Sequence, residues 1–240
     1  MEDVLEVYTW PDDDAVRIVC MDEVSTQLLA DTREGQRTKP GQDAREDHEY
    51  ERCGTATIFL GFEPLRGQRW TSVTEQRTRV DWAMWVKELV DERYAEADLI
   101  VLVMDNLNVH SIASLYEAFA PAEAKRIAMK LEIHHTPKHG SWLNMAEIEA
   151  SVMRRQCLDG RWIASREVLS SELRAWEARR NARGAAINWR FSLDDARVKL
   201  RRLYPLCYER FALIRPLKWF GHSPIVVVNE RQDFSLQVFD

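Results

Sequence analysis

Apolar and polar positions change period several times along the chain, and each change marks an element. "AVRIVCMDE", from Ala15, is β-branched and partly alternating, which predicts a strand ending near Asp22. Residues 31–54, "DTREGQRTKPGQDAREDHEYERCG", are polar with Gly and Pro and predict a long exposed loop. "TATIFLGFEP" and "RWTSVTEQR" flank the turn signal "LRGQ" and predict a hairpin. From Arg79 to Tyr94 the apolar residues, Val80, Met84 and Leu89 among them, fall near helical spacing. "ADLIVLVMDN" is a continuous apolar run, the mark of a strand buried on both faces. "SIASLYEAFAPAEAKRIAMK" predicts helix with a break at Pro121, and "LEIHHTP" a short strand. Three further helices are predicted over Asn144–Leu158, Ser165–Arg183 and Ser192–Leu203, the second capped at Ser165. Strands first, then a strand–helix–strand unit, then helices: this is the order of one α/β domain with a mixed sheet.

Composition narrows the class. With 240 residues, 45% of them hydrophobic, and nine tryptophans, the chain can bury a sizeable core, which excludes global disorder. The longest apolar run, Leu99 to Met104, is too short to span a bilayer, and "MEDVLEVYTWPDDD" lacks the pattern of a signal peptide. The expectation is a cytoplasmic protein with no membrane association. The four cysteines (Cys20, Cys53, Cys157, Cys207) show neither zinc nor redox spacing and are read as reduced thiols. The net charge of −6 conceals an asymmetry. Residues 1–50 hold 14 Asp/Glu against 5 Lys/Arg, whereas residues 150–220 hold 16 Lys/Arg against 7 Asp/Glu. The basic half can attract phosphate or can be a solvated helix face; charge alone does not choose.

The candidate chemistry lies in the acids. Asp22 in "VCMDE" and Asp105 in "VLVMDN" each follow an apolar strand. Side chains at the carboxyl ends of strands in an open α/β sheet line the crevice where ligands bind. Two anions held close together are unfavourable unless a cation lies between them, and hard oxygen ligands suit Mg²⁺ or Mn²⁺. Taken singly, either aspartate can instead cap a helix or begin a turn. A third acid comes from "HHTPKHGSWLNMAEIEASV", where Glu147 and Glu149 both lie near the start of the Asn144 helix. Glu149 borders the apolar face of Met145, Ile148 and Val152 while Glu147 points away from it, so periodicity does not decide between them. Both can simply favour the positive end of the helix. His134, His135 and His139 raise the question of zinc, but no cysteine joins them and Pro137 and Gly140 interrupt the spacing.

Three blocks in order, "VCMDE", "VLVMDNLNVH" and "HHTPKHGSWLNMAEIEASV", resemble the catalytic domain of bacterial insertion-sequence transposases, members of the DDE superfamily that also contains the mariner-type elements. The resemblance covers roughly residues 1–205 and rests on an Asp-Asn-x-x-x-His block and a Leu-Asn-x-x-Glu block. It implies a ribonuclease-H-like α/β fold, a mixed five-stranded sheet with helices on both sides. It implies metal-dependent cleavage of transposon-end DNA and strand transfer into target DNA, with two Mg²⁺ or Mn²⁺ ions as cofactors. Laying the relatives' Leu-Asn-Pro-Ile pattern on Leu143–Ala146 puts Glu147 in the catalytic place, with Glu149 as runner-up. Asp22 and Asp105 would bridge the metals and Glu147 would close the second site. Asn106, His110, His139 and Asn144 are supporting candidates, and Lys138, His139, Arg154, Arg155 and Arg161 are candidates for DNA contact. The implied partners are transposon-end and target DNA and further copies of the chain.

The resemblance also predicts a division of the chain. Residues 1–15 resemble a linker, 16–205 the catalytic domain, and 206–240 an unassigned tail expected to be poorly packed. Relatives carry an N-terminal helix-turn-helix region that reads the transposon ends. The expectation is that this chain lacks that region and that a separate subunit from an upstream reading frame supplies it. The alternative is a truncated, non-enzymatic remnant that binds DNA or an intact transposase and inhibits it.

Overall fold

The computed structural model describes residues 1–32, 49–107, 110–138 and 140–204. The chain divides into two compact units, 1–199 and 200–240, and of the second only residues 200–204 are described. The predicted tail 206–240, residues 33–48 of the predicted loop and His139 therefore lie outside the described residues.

Unit 1 is built on five strands: β1 (Val16–Asp31), β2 (Tyr50–Glu63), β3 (Gln68–Thr74), β4 (Leu99–Met104) and β5 (Leu131–His135). Their order in the sheet is β3-β2-β1-β4-β5. The first three are antiparallel neighbours, and β4 and β5 add in parallel. The parallel additions need crossovers, which the helices supply. α2 (Arg79–Glu88), continued by a π-helical turn over Leu89–Arg93, leads into β4; α3 (Ile112–Ala118) and α4 (Pro121–Ala128) connect β4 to β5. Thr78 caps α2 in a reciprocal box with Asp81, and Pro121 starts α4, so the predicted break is where one helix ends and the next begins. α5 (Met145–Met153), α6 (Arg166–Ala182) and α7 (Leu193–Lys199) follow, and a short α1 (Glu2–Val7) stands where the sequence predicts only a linker.

Alternation along the strands sends side chains to two cores. Val19, Met21, Phe59, Ile100, Leu102 and Met104 pack with Trp82, Trp85, Val86 and Leu89 of the α2 region and with Leu115 and Ile127. On the other face Val24, Leu28, Ile58 and Leu60 pack with Met153 of α5 and with Leu169, Leu173 and Trp176 of α6. The result is a mixed five-stranded α/β sheet with helices on both sides. No helix among the described residues is long and apolar enough to cross a membrane.

The structure corrects the predicted end of the first strand. β1 does not stop near Asp22; it runs to Asp31, and β2 begins at Tyr50, inside the predicted loop. The extension pairs Val24 through Asp31 with residues 50–58 across a register shift at Gln27/Leu29. An antiparallel ribbon with one wet face tolerates polar residues such as Ser25 and Gln27 there, so the apolar signal fades before the strand does.

Candidate active site

Backbone register brings the first two acids together. Parallel pairing of β1 with β4 ends at Cys20 opposite Val103. Continuing each strand by two residues reaches Asp22 on one side and Asp105 on the other, level just past the end of the parallel pairing. Asp22 lies on the same face of β1 as Val24, the face that packs against α5 and α6. Asp105 follows β4 directly, half-buried, with Asn106 exposed beside it.

The third acid arrives through a polar tie. Asn144 is buried, and its side chain does two jobs: Oδ1 accepts the Ala146 amide at 3.1 Å, capping α5, and Nδ2 donates to the Met21 carbonyl at 2.7 Å. The start of α5 is thereby fastened to the residue preceding Asp22. Tyr8 adds a second fastening, donating to the Leu143 carbonyl at 2.7 Å and lying 3.5 Å from the Cys20 thiol. Burial pushes that thiol up to about 12, so it stays protonated. Glu147 occupies the first turn of the anchored helix.

The electrostatics bear the imprint of this convergence. Burial pushes the Asp22 carboxyl up to about 7. The Glu23 amide, 2.8 Å from Oδ1, works against that rise, and the charges of Glu147, Glu23 and Asp105 add to it. Asp105 Oδ1 is buried without a well-aligned hydrogen bond. Clustered anions of this kind raise one another's proton affinity unless a cation is present. The donor set, carboxylate oxygens with an unused lone pair at a sheet edge, fits a hard divalent ion.

Glu149 has a different environment. It is 1% exposed and sits between Arg69 Nε at 2.9 Å and Arg180, whose Nε and Nη2 lie 2.7 and 3.0 Å away. Arg180 belongs to α6 and Arg69 to β3, so this carboxylate joins three elements inside the fold.

The remaining predicted residues fall in several places. His110 is buried against the far side of the acidic edge, with Nε2 2.5 Å from Glu23 and Nδ1 2.7 Å from Asp105 Oδ1. The Nδ1–H aligns better with the Asp105 carbonyl at 3.3 Å. Burial lowers the affinity of this ring for its proton, but hydrogen bonding to Asp105 and Glu23 more than offsets it, raising it to about 9. His135 Nδ1 lies 3.1 Å from the same carbonyl, and His134 is taken up by Asp3 and Glu132. Lys138 is exposed. Arg154 and Arg155 are exposed in the π-helical turn after α5 and make no ion pair among the described residues. Arg161 is committed to Glu172 at 2.8 Å and to the Cys157 carbonyl. Glu23 carries no assignment from sequence, although it sits in the quoted "VCMDE"; its partner lies 87 residues away.

Comparison with known proteins adds the family. Residues 17–170, more than half of the chain, match the family model described as DDE superfamily endonuclease. No curated protein sequence matches the chain significantly. Among solved structures it is similar to the Mos1 mariner paired-end complex with Mn, at a TM-score of 0.50 and 16% identity, over 75% of this chain and 54% of that one. It is likewise similar to the Mos1 strand transfer complex, at 0.50 and 15%, over 75% and 53%. The fold is thus the ribonuclease-H-like one of those proteins, and the chain spans about half of their length.

Proposed function

The chain belongs to the DDE superfamily of endonucleases, and from that premise we propose that it is the catalytic domain of an insertion-sequence transposase of mariner-like kind. The observation that carries the reading is the concentration of negative charge on Asp22, where Glu147, Glu23 and Asp105 all act on it, while Glu149 is neutralised by two arginines. In this reading Asp22, Asp105 and Glu147 hold two Mg²⁺ or Mn²⁺ ions. Bound there, such ions neutralise phosphodiester charge and lower the pKa of an attacking water or 3′-hydroxyl.

The residues of the chain itself do the rest. Asn144 and Tyr8 fix the start of α5 so that Glu147 meets Asp22. Lys138 before α5, Arg154 and Arg155 after it, and His139, which lies outside the described residues, contact DNA phosphates, which positions the strand without reading its sequence. Arg161, held by Glu172, contributes less. Asn106 and His110 support the acids. The substrates are transposon ends and target DNA, and the working form is an oligomer in the cytoplasm. We take 16–205 as the catalytic domain. The non-enzymatic alternative has no observation in its favour.

The test is nicking of supercoiled DNA with Mg²⁺ or Mn²⁺. The chain should nick slowly and with little sequence preference, and Asp22→Asn, Asp105→Asn and Glu147→Gln should each abolish the reaction while leaving the fold intact. Metal-dependent nicking that survives all three substitutions would overturn the assignment.

A further inference from the structure

The residue next to Asp22 points to the opposite face of the sheet, and what it meets there has no place yet in the chemistry. The Glu23 side chain is 2% exposed and lies 2.5 Å from Nε2 of His110, whose ring is fully buried. The other ring nitrogen lies 2.7 Å from Asp105 Oδ1, and the ring packs at a tilt against Trp82, 6.1 Å between centroids. A buried imidazole thus bridges β1 to the end of β4 with both nitrogens engaged. Among the described residues, these three are the cluster of ligand-type side chains close enough to hold a metal, so their roles must be separated. Nδ1 is engaged by Asp105 and Nε2 by Glu23, so neither ring nitrogen is turned toward an ion, and Glu23 lies on the face of β1 opposite Asp22.

We infer that Glu23 and His110 are a positioning pair: together they clamp Asp105 in the orientation in which its carboxylate shares a metal with Asp22. The inference rests on Asp105 being a metal ligand. Outer partners of this kind fix the orientation of a ligating carboxylate, and their loss typically weakens metal affinity about 10- to 100-fold. Without the clamp the Asp105 carboxylate is free to turn away from the shared ion, and metal affinity falls.

The experiment is a titration of the full chain with Mn²⁺ alone, the free ion followed by its electron paramagnetic resonance signal. It compares the parent with Asp105→Asn, Glu23→Gln, His110→Gln and the Glu23→Gln/His110→Gln double variant. Melting temperatures confirm that each is folded. Asp105→Asn should lose at least one bound ion. Each single variant of the pair should keep the parent's number of ions with affinity weakened about 10- to 100-fold. The double variant should be no weaker than the worse single one, because the two residues act as one unit. Nicking by the pair variants should recover at saturating Mn²⁺. Should His110→Gln not fold, Glu23→Gln carries the same test with the ring left in place. If Asp105→Asn binds like the parent, the metal assignment itself fails. If Asp105→Asn loses metal but the pair variants bind as tightly as the parent or more so, the clamp is wrong. A Glu23→Gln variant that binds fewer ions would make Glu23 a ligand and overturn the inference equally.

Discussion

Glu147 and Glu149 stand two residues apart on one helix, and the regions they enter treat a carboxylate in opposite ways. At the joint between β3 and α6, Glu149 is enclosed by Arg69 and Arg180, and Asn181 completes the joint by accepting from the Arg69 amide and donating to its carbonyl. Where the parallel pairing of β1 with β4 ends, the charges acting on Asp22, those of Glu147, Glu23 and Asp105, are negative. One region spends its charges on internal cohesion. The other leaves them unbalanced, which costs stability and makes sense where a cation from outside completes the set. The difference teaches that the partners of an acid, more than its burial or helix position, separate a structural carboxylate from a functional one.

Substitutions can break this comparison from either side. The largest effect is expected at the unbalanced edge: Asp22→Asn or Asp105→Asn should lower metal-dependent nicking about a thousandfold or more, the several kcal/mol that metal-ion charge stabilisation supplies. For Asp22→Asn the melting temperature should hold or rise, because a buried repulsion is relieved. Next comes Glu149→Ala, which strands two arginines in the interior and should cost about 3–5 kcal/mol in a denaturant titration. Gly61→Ala tests the sheet between the two regions. A methyl there would fall 2.3 Å from the Trp70 ring on β3, and the overpacking should cost about 1–3 kcal/mol without altering metal binding. The smallest effect is expected on the basic surface. Arg154→Ala with Arg155→Ala should flatten the salt dependence of DNA binding by up to about 0.9 log unit per lost phosphate contact. Arg161→Ala should change it less, since Glu172 already holds that guanidinium. Equal slopes for all three arginines would remove the distinction.

Much of the fold is legible in the chain, because apolar runs that end at an acid are a strong local signal. Asp105 does follow the buried strand Leu99–Met104 directly, and the helix break at Pro121 falls between α3 and α4. The mixed sheet follows from the order of the elements. What is not legible depends on residues far apart in sequence. Nothing near Glu149 announces Arg69, 80 positions earlier, or Arg180, 31 later, so a helical wheel leaves both glutamates eligible. Glu23 passes unnoticed for the same reason: alternation sends it away from Asp22, and only the folded chain reveals His110 behind it. The strand itself outlasts its apolar pattern, because beyond Asp22 one face of the β1–β2 ribbon is wet.

The contrast between the two glutamates can be measured directly by following thermal unfolding of Glu147→Gln and Glu149→Gln with and without Mn²⁺. A ligand that binds only the folded chain stabilises it, by about 2.7 kcal/mol at a hundredfold excess over Kd, or roughly 5–10 °C for a domain of this size. The account predicts that Glu149→Gln melts well below the parent but keeps the Mn²⁺-dependent rise. Glu147→Gln should melt at or above the parent without metal and lose most of the rise. If instead Glu149→Gln abolishes the rise and Glu147→Gln retains it, the carboxylate bound between Arg69 and Arg180 is the functional one, and the account is wrong at its centre.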